Sequence, residues 1–320
     1  MKPLVGDPND IRLASIGMVE GNGHPYSWSA ILNGYDRDAM ADCPYPAIPE
    51  YLGRRSEEDF GIRGARVTHI WCDNPADAER VAAAARIPTI LSGPEEAIGR
   101  VDAVLIPTDK GEEHLERARP FIEAGLPVFI DKPLTVREDH LRRFVAWRND
   151  GRAILSSSAM RYSVEYAALR ERLAEVGETR FLTITTPKSW ERYGIHALEG
   201  IYPFLPAGGW LSVANTGTET ANIVHLEHET GVHAIVAAIA DLYGAFGCLN
   251  VHGTKAKLAA DFSDTFAAFK AQLTAFVDYL ATGEPPFPFE ETVELMKLVI
   301  AGIRSREQGG RKVQLGEIEA

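Results

Sequence analysis

The chain has 320 residues, enough for two domains that each bury a core. Hydrophobic residues make up 45% and charged residues 24%, and a net charge of −12 argues against nucleic acid or an anionic membrane surface as the main partner. No apolar run approaches the roughly 20 residues that span a bilayer, and the opening MKPLVGDPND lacks the apolar core of a signal peptide. Cys43, Cys72 and Cys248 are far apart, odd in number and without metal-type spacing. They read as free thiols in a reducing cytoplasm, and no metal site is expected.

In chain order, Ile11 to Gly17 reads as a first strand. A glycine-rich turn holding Gly17, Gly21 and Gly23 follows, and then a helix from His24 to Asn33. Strand, glycine turn and helix is a dinucleotide-binding arrangement. Glycines let the backbone approach a pyrophosphate, and the helix N-terminus offers free N–H groups. The regular Gly-x-Gly-x-x-Gly is absent, with Val19 where the second glycine belongs and Glu20 beside it. Residues 35–65, rich in proline, aromatics and charge, form an insert expected on the surface, used for packing or a subunit contact. Val67 to Asp73 is the second strand. Its terminal acid is suited to the adenosine ribose hydroxyls and repels a 2′-phosphate, which favours NAD over NADP. Asn74 can cap the next helix, Ala76 to Ala85, leaving Asp73 available.

Thr89 to Leu91 is a short third strand. Val101 to Ile106, a helix from Glu112 to Ala124 kinked at Pro120, and Pro127 to Ile130 then form a strand–helix–strand unit. Such units build parallel sheets whose ligands lie beyond the carboxyl ends of the strands, where Thr108, Asp109 and Lys132 fall. A helix from Val136 to Arg148, with Thr135 and Glu138 spaced as a capping box, and a sixth strand, Ala153 to Ser156, complete an open Rossmann sheet. The first domain is read as residues 1–158 and the second as 159–320.

The second domain opens with a helix, Val164 to Leu173. Strands are expected over 180–186, 212–218, 221–229, 232–240 and 247–252, with helices near 262–281 and 290–305. Tight turns such as Glu229-Thr-Gly231 imply a mostly antiparallel sheet. The fold class is therefore α/β, a Rossmann domain followed by an α+β domain. The run from Ala234 to Ala240 is apolar enough to imply that one sheet face is covered in a homodimer or homotetramer.

The segment from Val101 to Pro133, ending Asp131-Lys132-Pro133, resembles the glucose–fructose oxidoreductase / inositol dehydrogenase (Gfo/Idh/MocA) family. That family carries Glu-Lys-Pro after a strand–helix–strand of this kind, and its lysine contacts nicotinamide and substrate. Asp131 stands one methylene shorter for the glutamate. The family's Asp-x-x-x-His segment, often followed three residues later by an acid, aligns with Arg192, His196 and Glu199, so Arg192 replaces the aspartate. The resemblance implies an oxidoreductase that transfers hydride between NAD, less readily NADP, and a sugar, polyol or sugar derivative. Lys132 and His196 would be catalytic. Gly17, Gly21, Gly23, Asp73, Thr108 and Asp131 would hold the cofactor. Arg161, Arg192 and Tyr193 would meet the substrate; Trp190 is a further stacking candidate, although an aromatic beside a glycine is as often core. A non-catalytic NAD-binding sensor and an NAD-dependent glycosidase of the same fold remain alternatives.

Overall fold

The computed structural model describes residues 2–320. The chain forms two compact units and crosses between them several times. One holds the residues up to Asp131 with Ala146–Ser156 and Phe269–Phe287. The other holds Lys132–Val145, Ser157–Ala268 and Pro288–Ala320.

The first unit is built on a parallel six-stranded sheet in the order β3-β2-β1-β4-β5-β6. Its strands are β1 (Ile11–Ile16), β2 (Ala65–Trp71), β3 (Thr89–Ile90), β4 (Ala103–Ile106), β5 (Val128–Ile130) and β6 (Ile154–Ser156). Every residue of β4 and β5 is buried, as continuous branched and aromatic runs require when helices cover both faces. The helices before the second sheet are α1 (His24–Asn33), α2 (Arg37–Ala41), α3 (Ala47–Gly53), α4 (Pro75–Ala84), α5 (His114–Glu123) and α6 (Glu138–Asn149). Trp28 of α1 meets Phe129 at 5.2 Å and Phe129 meets Phe276 at 5.4 Å, giving the core an aromatic spine. Asn74 caps α4 by accepting from the Ala76 N–H at 3.1 Å. The expected capping box at α6 does not form. The Thr135 N–H points to the Met296 sulfur at 3.5 Å, and Glu138 pairs with Arg304 instead.

The insert is not a bare excursion. It contains α2 and α3, and Met40, Ile48 and Leu52 are buried. Tyr45 and Ile48 return to the glycine turn. A Cβ on Gly23 would lie 2.5 Å from both side chains, so this glycine makes room for the insert.

The second unit carries a seven-stranded sheet ordered β12-β11-β7-β10-β9-β8-β13. The strands are β7 (Thr179–Pro187), β8 (Trp210–Asn215), β9 (Ala221–His228), β10 (His233–Ile239), β11 (Cys248–Gly253), β12 (Lys257–Asp261) and β13 (Val313–Gln314). All pairings are antiparallel except β10 with β7. Helices α7 (Val164–Glu171), α8 (Ile195–Ile201), α9 (Thr265–Thr282) and α10 (Phe289–Glu307) complete the order. Ala234, Val236 and Ala238 point into the core, whereas Ile235, Ala237 and Ile239 lie half-exposed on the other face, beside exposed Ile223.

Candidate functional site

In the first unit, Gly17 follows β1 and Thr108 follows β4, the two strands between which the sheet order reverses. This switch point is where open α/β sheets bind ligands. Gly17 has φ +96°, and a Cβ there would stand 3.0 Å from the Arg117 Nη1 and 3.1 Å from the Thr108 methyl, so the bend demands glycine. Thr108 is fully buried, and its hydroxyl finds no protein partner among the described residues, a donor left for a ligand. Asp73, two residues past β2, already has protein partners. Its carboxylate accepts from the Met18 N–H at 3.2 Å and from both terminal nitrogens of Arg117, at 3.1 and 2.9 Å. Burial works against the charge on Arg117, but Asp73 and Glu113 outweigh it and raise its pKa. Gly21 donates its N–H to the Tyr45 hydroxyl, whose pKa burial raises. A dinucleotide fits the end of the sheet marked by Gly17, Asp73 and Thr108, while Gly21 and Gly23 are engaged by the insert.

Asp131 closes β5 with 1% of its surface exposed. Its carboxylate meets His24 Nδ1 at 2.6 Å and the Asn22 amide at 3.4 Å; the same amide donates to the Pro107 carbonyl at 3.0 Å. His24 is held by Trp28, stacked at 5.1 Å, and by Phe269, edge-on at 5.0 Å. The acid of the Asp-Lys-Pro signature is thus a buried anchor for the first turn of α1.

In the second unit, the structure brings Lys132, Tyr193 and His196 together. Lys132 is 1% exposed and precedes a cis peptide to Pro133. Its ammonium donates to the Arg192 carbonyl at 3.3 Å and sits 4.4 Å from the centre of the Tyr193 ring. Lys188 approaches the same ring at 4.3 Å and donates to its hydroxyl at 2.8 Å. Tyr193 meets His196 edge-on at 4.7 Å, and Phe246 packs on His196 at 5.3 Å. His196 Nδ1 is 2.7 Å from the Ser158 hydroxyl, which also accepts from the Met160 N–H at 3.0 Å, so the imidazole plane is set from behind. Lys188 holds this geometry at φ +61°, a strained conformation for a non-glycine residue.

Residues 190–194 form a single π-helical turn, which offsets the following α8 and aims His196. Trp190 is fully buried, donates to the Val299 carbonyl at 2.8 Å, and lies where Gly194 and Gly302 have no side chain. It is a core residue, so of the two readings open for it the stacking one fails. Arg192 enters the cluster through its carbonyl. Arg161 is paired with Glu199 and, at 2.7 Å, with Glu291. Glu199 is buried and also accepts from the Ser158 N–H at 3.2 Å. Burial raises its pKa, against the lowering pull of Arg161. Ser158, Lys188, Arg117, His24 and Tyr45 had not been marked by the sequence. All but Lys188, which meets Tyr193 five residues on, act through a partner distant in the chain, and no local pattern announces such a partner.

Residues 50–156 match the model of an oxidoreductase family with an NAD-binding Rossmann fold, Gfo/Idh/MocA. Over 111 residues the chain is 28% identical to the "Putative UDP-kanosamine synthase oxidoreductase subunit" of Amycolatopsis mediterranei (strain S699). That match covers 35% of this chain and 31% of that protein. The fold resembles myo-inositol 2-dehydrogenase from Lactobacillus plantarum, with TM-score 0.74, 15% identity and coverage of 95% of this chain and 99% of that one. It also resembles scyllo-inositol dehydrogenase from Lactobacillus casei, solved with NAD(H) and scyllo-inositol, with TM-score 0.73, 14% identity and coverage of 96% and 99%. Over residues 50–156 the chain is thus similar to the Gfo/Idh/MocA oxidoreductase family, and its fold is the one seen in these inositol dehydrogenases.

Proposed function

We propose that the protein is a cytoplasmic, NAD-dependent oxidoreductase acting on a hydroxyl or carbonyl of a sugar, polyol or sugar derivative. The observation that carries this reading is the cluster of a buried ammonium, a phenol and an imidazole: Lys132, Tyr193 and His196. NAD, when bound, supplies the hydride acceptor. Gly17 and Thr108 would hold its phosphates and ribose, and Asp73 its adenosine end. A carboxylate at Asp73 beside the adenosine ribose would accept from its hydroxyls and disfavour the extra phosphate of NADP.

Removal of hydride from an alcohol leaves a proton to be accepted near neutral pH, and His196, held by Ser158, is suited to accept it. Lys132 stabilises the alkoxide-like oxygen that develops. Tyr193, hydrogen-bonded to Lys188, is a second group able to relay a proton. The test follows absorbance at 340 nm while the protein is offered NAD and a panel of polyols and sugars. Lys132→Ala should cut turnover by about 10²–10³ and leave NAD affinity within a few-fold. His196→Ala should act similarly and remove the pH dependence near neutrality. Full turnover in both variants would overturn the assignment and move the proton exchange to Tyr193. A second reading, NAD binding without turnover, is favoured by the Tyr45 hydroxyl already engaging the Gly21 N–H. Tight NAD binding with no turnover on any sugar would select it.

A further inference from the structure

We propose that His225, Glu227 and His233 form a binding site for a zinc-like divalent cation on the open face of the seven-stranded sheet. The arrangement follows from strand geometry. His225 and Glu227 are two residues apart on β9, so both project to the same side, and His233 on β10 pairs directly with Glu227. One ligand atom from each residue lies within 4.8 Å of the others. The rings of His225 and His233 are nearly parallel, at 12°, and their facing nitrogens, Nε2 and Nδ1, are 2.8 Å apart. A cation would take the place of the proton those two nitrogens share, after side-chain rotations on the ångström scale.

The surroundings suit that exchange. The Ser212 hydroxyl donates to one oxygen of Glu227 at 2.7 Å and orients the carboxylate, as a partner behind a metal ligand does. The other oxygen meets Lys312 at 2.6 Å, with the lysine side chain 47% exposed. Such a bridge is worth about 0–1 kcal/mol, so Lys312 can yield to a divalent ion. Two imidazoles and one carboxylate favour zinc, cobalt or nickel over magnesium or calcium. Position excludes a part in hydride transfer. His233 begins β10 opposite Phe181, and Pro187, which leads to the Lys188–His196 cluster, lies opposite the far end of β10. Six residues separate those ends, about 20 Å along the strand. The site therefore bears on the sheet surface and on whatever that surface meets.

The experiment titrates the untagged, chelator-treated chain with Co²⁺ and reads visible d–d absorption, then displaces Co²⁺ with Zn²⁺ followed by calorimetry. One equivalent should bind, with nitrogen–oxygen bands and no sulfur charge-transfer band. His225→Ala and His233→Ala should each weaken binding by about tenfold or more, and Glu227→Gln by less, with unchanged circular dichroism. Absence of any Co²⁺ band overturns the proposal. So does equal binding by wild type and both histidine variants, or a thiolate band that assigns the metal to Cys248.

Discussion

Arg161→Met should be among the most destabilising single changes in the second unit. Arg161 has a side chain 10% exposed and neutralises Glu199, whose side chain is 3% exposed. Without it, the Glu199 carboxylate keeps one hydrogen bond, from the Ser158 N–H at 3.2 Å. Breaking a buried pair from one side costs about 3–5 kcal/mol. The lower end applies here, because Glu291, 15% exposed, can turn to water. At about 2–4 °C per kcal/mol for a unit of this size, a loss near 3 kcal/mol lowers Tm by about 6–12 °C. The pH dependence has a definite sign. Burial already raises the Glu199 pKa above its unfolded value, and losing Arg161 raises it further. The cost of an ionised Glu199 is absent below the unfolded carboxyl range and complete above the folded pKa, so the variant falls further behind wild type as pH rises. Thermal unfolding of wild type, Arg161→Met and Arg161→Met/Glu199→Gln at about pH 5 and about pH 8 reads this directly. The double variant should recover most of the loss. A deficit below about 1 kcal/mol, the value of an exposed pair, would refute the reasoning. So would a deficit equal at both pH values, or no recovery in the double variant.

Titration calorimetry should show NAD bound more tightly than NADP; equal or tighter NADP binding would mean that Arg117 escapes Asp73 and Glu113. Light scattering should return a multiple of the 35.1 kDa chain mass, since half-exposed Ile235 and Ile239 and exposed Ile223 share one sheet face; a value near the monomer's would dismiss a homo-oligomer. Gly23→Ala should cost about 1–3 kcal/mol by driving a methyl into Tyr45 and Ile48, and an unchanged urea midpoint would show that the insert does not bear on the turn.

Legibility followed sequence distance. The β4–α5–β5 unit was readable because its apolar runs and the stripe of Leu115, Ala118, Phe121 and Ile122 lie within thirty-odd residues and need no outside partner. The second sheet was readable where alternation is strong. It failed at β12, where only Leu258 is buried, and at β13, which has two residues. Inside the insert, α2 and α3 were hidden by proline-rich composition and short length. At the site, Lys132 and His196 carried recognisable neighbours in sequence. The pairing of Asp73 with Arg117 was not legible because Arg117 is 44 residues away. Trp190 stayed open between core and sugar stacking because one of the glycines that make its slot, Gly302, lies on α10.

The insert also has a consequence for the order in which the chain can fold. Strand β1 lies near the centre of its sheet, yet its partners are remote: Ile11 pairs with Ala65, 54 residues on, and Leu13 with Ala103, 90 residues on. By contrast, Val104 of β4 pairs with Val128 of β5 only 24 residues later. Closing the longer of the β1–β2 and β4–β5 loops costs only about 0.7 kcal/mol more, so the added chain length hardly weighs on the native state. Synthesis feels it in time. At about 5–20 residues per second, the strand made first waits about 3–11 s for its first neighbour. During that interval an apolar segment holding Ile11, Leu13 and Ile16 stands unpaired and open to wrong contacts.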